Sequence, residues 1–208
     1  SGVDCPREAM RLVVDGASRV MGWQFSSSPI LFQRSSDISK LPQHVLLELS
    51  MGDRVDDGPK SCVFGDIADR LPDTARAWLS EATPTDNCDS KSKNEAVAEI
   101  TKWLKNNSQW LFPLDAKSYC YEHKQECLAH PHAVHPSAPS EPTVCLRVGV
   151  AGVSCLPWTS EGSSEGEASL CEIPHCIFVE ERRSRAKQCV EDLVFIECTP
   201  RYPMAVKI

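Results

Sequence analysis

Two groups of residues in this 208-residue chain have the types and spacing to do chemistry. The first is Cys120-Tyr121-Glu122-His123 with Cys127 and, close behind, His130, His132 and His135. Thiols and imidazoles this close together suit a tetrahedral Zn2+ site, with Cys120, His123, Cys127 and His130 as its candidate ligands. The same spacing also suits one Cys120–Cys127 disulfide with His side chains facing solvent. Either would tie down a stretch that has little else to hold it. The second group is scattered: Glu48, Asp66, Cys155 and Glu197 each stand at or just after the end of a short apolar run. A thiol entering a Gly/Ser-rich loop is a candidate nucleophile, and a small buried apolar residue is the plainer alternative. A carboxylate in the position of Glu197 can accept from a heterocyclic amine in a closed pocket, or can simply be a solvated acid.

The elements that must position these groups follow from patterning. Asp4-Cys5-Pro6-Arg7-Glu8 has the signature of a helix start, and Met10, Val13, Val14, Ala17, Val20 and Met21 continue it as one apolar face. Val45 to Leu49 is predicted as a buried strand ending near Glu48, and Cys62-Val63-Phe64 as a second strand leading to Asp66. Ser92-Lys93-Asn94-Glu95 reads as a capping box that opens a helix ending near Asn106-Asn107. Residues 130–142 hold four Pro and form an irregular connector. Val144 to Val150 is predicted as a strand, 158–169 as a mobile Ser/Gly/Glu loop, Ile177 to Val190 as a helix and Leu193 to Ile196 as a strand. Continuous apolar strands alternating with helices imply a parallel sheet, whose ligand site lies at the carboxyl ends of its strands.

Composition narrows the classes. Apolar residues make up 41% and charged residues 25%, the balance of a soluble globular chain, and no apolar run reaches the roughly 18–20 residues of a transmembrane helix. Net charge is −7, from 22 basic and 29 acidic residues, so nucleic acid would have to be held by a local basic patch. Arg182-Arg183-Ser184-Arg185-Ala186-Lys187 is the one candidate; it reads as a phosphate-tracking helix face or as a solvated face balanced by Glu180 and Glu181. Eleven scattered Cys, an odd number, favour mostly reduced thiols over a disulfide scaffold. The chain starts at Ser1 with no targeting segment after it, which reads as a processed product or a piece of something longer.

Taken together, Ala151-Gly152-Val153-Ser154-Cys155, Trp158-Thr159-Ser160-Glu161-Gly162, Glu180-Glu181-Arg182-Arg183 and Glu191 to Pro200 resemble the heart of a divergent DNA (cytosine-5) methyltransferase. The resemblance runs from residue 1 to about residue 203 in short blocks, and their order and spacing carry it. It implies a partial doubly wound (Rossmann-like), mainly parallel α/β sheet in one domain, 1–208, with 108–142 as an irregular Cys/His/Pro-rich insertion. It implies that Cys155 attacks C6 of a flipped cytosine, that Glu197 holds the ring, and that C5 takes a methyl group from S-adenosylmethionine. Ser1, Gly2 and Asp4 would then belong to the glycine loop at the methionine end of the cofactor, Glu48 would take the ribose hydroxyls and Asp66 the adenine amine.

The same blocks depart from the family. Ser154 stands where the family has Pro before its nucleophile, and Cys198-Thr199 where it has Asn-Val after its acid. The recognition region and closing motif have no room before Ile208. Two functions follow: a DNA-acting, nuclear methyltransferase, or a catalytically silent accessory subunit whose partners cover the truncated sheet edge.

Overall fold

The computed structural model describes residues 5–22, 34–37, 39–52, 61–85, 87–129, 148–152, 169–188 and 193–197. Their contacts divide the chain into two units. Unit 1 takes Ser1–Gly65 and Ser118–Cys127, and unit 2 takes Asp66–Lys117 and Leu128–Ile208.

Unit 1 opens with helix α1 (Cys5–Met21), which stops at Gly22. That glycine has φ 68, the left-handed conformation that closes a helix and that other residues adopt at a cost. Helix α2 (Lys40–Gly52) follows, preceded by Asp37, whose carboxylate accepts from the Ser39 backbone N–H at 2.8 Å. This corrects the strand expected at Val45–Leu49. A short apolar run fits either element, and here the Leu, Glu and Gln composition of the helix decides for α over β. The sheet of this unit has the order β1 (Arg34–Ser36), β2 (Cys62–Phe64), β3 (Lys117–Cys120), β4 (Gln125–Leu128). β1 runs parallel to β2 with Arg34 opposite Cys62; β3 is antiparallel to β2 with Cys120 opposite Phe64.

Unit 2 begins with a 3-10 turn, Ile67–Arg70, capped by Asp66. Helices α3 (Asp73–Ala82), α4 (Ser90–Leu111) and α5 (Glu172–Lys187) surround one apolar cluster. Leu79, Ile100, Leu104, Leu111 and Ile177 lie at its centre, with Trp78 stacked on Trp103 at 4.0 Å between ring centroids. The cap of α4 is Asp89, not Ser92: the Asp89 carboxylate accepts from Lys91 N–H (2.9 Å) and Ser92 N–H (3.0 Å), and the Ser92 hydroxyl donates to it as well (2.7 Å). The helix runs past Asn106-Asn107 to Leu111, and within it Asn107 donates its side-chain amide to the Trp103 carbonyl (2.8 Å). β5 (Val148–Gly152) and β6 (Leu193–Glu197) form a separate parallel pair, with α5 between them in sequence.

The described chain is therefore mixed α/β, with five α-helices and two sheets. The single mainly parallel sheet that the sequence implies is not what the described strands form, since one of its strands is α2 and the hairpin β3–β4 joins β2 in antiparallel fashion. Of the stretch expected to be irregular, 108–111 belong to α4 and 117–128 to that hairpin, while 130–142 lie outside the described residues.

Candidate metal centre

The β3–β4 hairpin brings its ligands together by local geometry. Along β3, Ser118 and Cys120 are buried while Lys117 and Tyr119 face out, the alternation of a pleated strand. The turn after Cys120 carries His123, and Lys124 at φ 54 reverses the chain so that Cys127 on β4 returns beside it. The fourth side chain comes from β2. Tyr121 N–H donates to the Val63 carbonyl at 2.8 Å, which draws the end of β3 against β2 and puts Cys62 at the mouth of the hairpin.

His123 Nδ1 lies 3.5 Å from the sulfur of Cys62, 3.3 Å from that of Cys120 and 3.5 Å from that of Cys127. All four donor atoms lie within 4.8 Å of one another. With metal bonds of about 2.3 Å to sulfur and about 2.0–2.1 Å to nitrogen, a tetrahedral site requires S···N separations of about 3.6 Å. The observed separations fall within a few tenths of that. The His123 backbone N–H also donates to the Cys120 sulfur at 3.5 Å, the kind of secondary contact that orients a thiolate ligand.

Electrostatics point the same way. Burial, then the neighbouring Cys120 and Cys127, push the Cys62 thiol up to about 12. Burial and Cys120 raise Cys127 as well. A cation placed among these sulfurs removes the penalty on ionising Cys62 and Cys127. Cys62, Cys120 and Cys127 are free thiols, so the Cys120–Cys127 disulfide does not form. The cluster can hold a metal ion.

Three of the ligands expected from sequence, Cys120, His123 and Cys127, are thus brought together; His130 lies outside the described residues. Cys62 escaped the sequence reading. It is 61 residues from His123, and no local spacing links it to the others; a Cys opening an apolar strand was its only trace.

The strand-end residues fare differently. Ser1, Gly2, Asp4 and Cys155 lie outside the described residues, as does nearly all of the 158–169 loop. Glu48 has an exposed side chain on α2, paired with His44 at 3.2 Å, so the strand-end argument for it no longer holds. Asp66 does follow β2, and its carboxylate accepts from Ala68 N–H at 2.9 Å. Glu197 ends β6 directly opposite Gly152, the last residue of β5. The basic run on α5 is not a free positive face: Arg185 is buried, Arg182 pairs with Glu181 at 2.5 Å and Arg183 pairs with Glu180. The buried Glu181 also meets Arg70 at 3.4 Å. No helix among the described residues is long and apolar enough to cross a membrane. No family model, curated protein or solved structure matches this chain.

Proposed function

We propose that the chain is a methyltransferase-like domain related to the DNA (cytosine-5) methyltransferases, carrying a structural zinc site. The observation that carries the first half is the register of the parallel pair: Gly152 at the end of β5 faces Glu197 at the end of β6, with the 16-residue helix α5 in the crossover between them. Ligands of open α/β sheets bind at the carboxyl ends of neighbouring parallel strands. Cys155 follows Gly152 by three residues in sequence. In this reading a thiol and a carboxylate enter one pocket from adjacent strand ends. The Cys155 sulfur adds to C6 of an extruded cytosine, Glu197 holds N3 and the amine, and C5 takes the methyl group of S-adenosylmethionine before its proton and the sulfur leave.

The test is covalent trapping on an oligonucleotide containing 5-fluorocytosine, with S-adenosylmethionine present. An adduct in the wild type that is absent from Cys155→Ser supports the reading; equal behaviour of the two removes it.

A specific observation favours the silent-subunit alternative. Val150, Leu193, Val194 and Phe195 of the parallel pair are exposed, whereas parallel strands are normally covered on both faces. An accessory domain that docks through this pair predicts no calorimetric heat with S-adenosylmethionine at millimolar concentration, and the enzyme predicts measurable binding.

The second half rests on the donor set. Three thiolates and one imidazole at tetrahedral spacing suit Zn2+, and four protein ligands leave no open position for substrate. The zinc would thus be structural. Elemental analysis of the purified protein, giving one zinc per chain, is its direct check.

A further inference from the structure

We propose that the metal is the folding clasp of unit 1, so that this unit orders and disorders with metal while unit 2 stays folded without it. The inference rests on the zinc reading above and goes beyond it, because a metal site in a well-packed domain need not decide whether the domain folds.

The two units differ sharply in what they bury. Unit 2 has an apolar cluster contributed by three helices, with Ala75, Ile100, Leu104 and Leu111 fully out of solvent. Among the described residues of unit 1, the buried apolar side chains are Leu46, Val63, Phe64 and the ligand Cys120 itself. Its helices leave several large side chains outside: Val20 of α1 is 84% exposed and Leu41 of α2 is 75% exposed. So few buried apolar side chains among the described residues do little to offset chain entropy, and small domains with little core depend on a metal or a disulfide.

The position of the centre supplies that means. Cys62 and His123 are 61 residues apart, and the chain between them leaves for unit 2 (residues 66–117) before it returns at Ser118. β2 has three residues and β3 and β4 four each, too short to hold together by backbone hydrogen bonds alone. A bond from β2 to both strands of the hairpin and to its turn closes that long loop, as a disulfide would. Because such a site is assembled only in the folded unit, the free energy of metal binding is also folding free energy.

The test uses the full chain, purified with its metal, then stripped with a strong chelator and followed by hydrogen exchange. At free Zn2+ about a hundredfold above the dissociation constant, ligand linkage gives about a hundredfold of protection. Amides of 62–64 and 117–128 should lose about that much on stripping, those of α3, α4 and α5 should keep theirs, and added Zn2+ should restore the difference. Retained protection in β2 and the hairpin after stripping overturns the clasp, and so does equal loss throughout unit 2. A purified protein without zinc, whose titration with Co2+ gives no thiolate charge-transfer band, overturns the zinc reading and the clasp with it. Because Cys62→Ala alone can fail to fold, His123→Cys serves beside it: four thiolates should preserve both metal binding and metal-dependent protection.

Discussion

The Cys62 sulfur lies 3.5 Å from His123 Nδ1, although 61 residues of chain separate them. That contact brings a fourth donor to Cys120, His123 and Cys127 among the described residues. Cys62→Ser should weaken zinc binding by more than the roughly 10–100-fold typical of losing a secondary contact, whereas His130→Ala should leave affinity unchanged. Competition against a chromogenic chelator measures both. Equal losses in the two variants would return His130 to the ligand set.

Acidity of the cluster sets the pH response. In the metal-free fold the Cys62 thiol is pushed up to about 12, above the roughly 8.5 of an unfolded cysteine. A folded group that holds its proton more tightly contributes stability below the unfolded value and loses it as pH rises through the folded one. The raised thiol thus opposes the metal-free fold at alkaline pH, in the same direction as loss of the clasp, so chelator-treated protein should regain no protection in the hairpin from about pH 8.5 upward. With Zn2+ bound the limit moves to the acid side, because protons compete for the thiolates as pH falls. Hydrogen exchange across a pH series, corrected for intrinsic rates, distinguishes the two limbs.

Glu181 in unit 2 is buried between Arg70 and Arg182, with its Oε2 3.4 Å from one guanidinium and 2.5 Å from the other. Removing the carboxylate takes a shared acceptor from two largely buried guanidiniums. Glu181→Ala should cost about 3–5 kcal/mol, while the double change Glu181→Leu, Arg70→Leu should recover much of the loss. Urea unfolding followed by fluorescence of the Trp78–Trp103 pair reports it directly, since that stack belongs to the same unit.

Packing in the cluster gives a complementary expectation. Ile100 is fully buried beneath α3 and α5 side chains, so Ile100→Ala should cost about 2–5 kcal/mol in the same unfolding experiment. Val20→Ala on α1, where the side chain is 84% exposed, should change stability by less than about 0.5 kcal/mol.

If the methyltransferase reading holds, Glu197 and Cys155 play unequal parts. Loss of one charge-assisted contact to the base is worth about 1.5–3 kcal/mol, so Glu197→Gln should slow adduct formation about ten- to a hundredfold. Cys155→Ser should abolish the adduct. Single-turnover trapping separates the two, and identical rates for Glu197→Gln and wild type would remove Glu197 from the site.

Much of the local structure was legible in sequence because its causes are local. Helix α1, the strands β2 and β6, and three of the four side chains that could hold a metal follow from periodicity, apolar runs and a Cys-x2-His-x3-Cys spacing that a tight turn can fold. Val45 to Leu49 was misread because five apolar-rich residues carry no period, and only the length of α2 reveals them as helix. For the basic run on α5, the balance by Glu180 and Glu181 was legible and is what the helix shows, whereas the burial was not: charge sequence says nothing of burial, and Arg185 sits inside. By itself, then, the sequence determined where the thiols and carboxylates stand along the chain and which short segments hold them. Only the tertiary structure decided that Cys62 joins the hairpin and that Glu48 does not end a strand. Pairing between distant segments depends on which sheet edges meet, and no spacing within the chain encodes that.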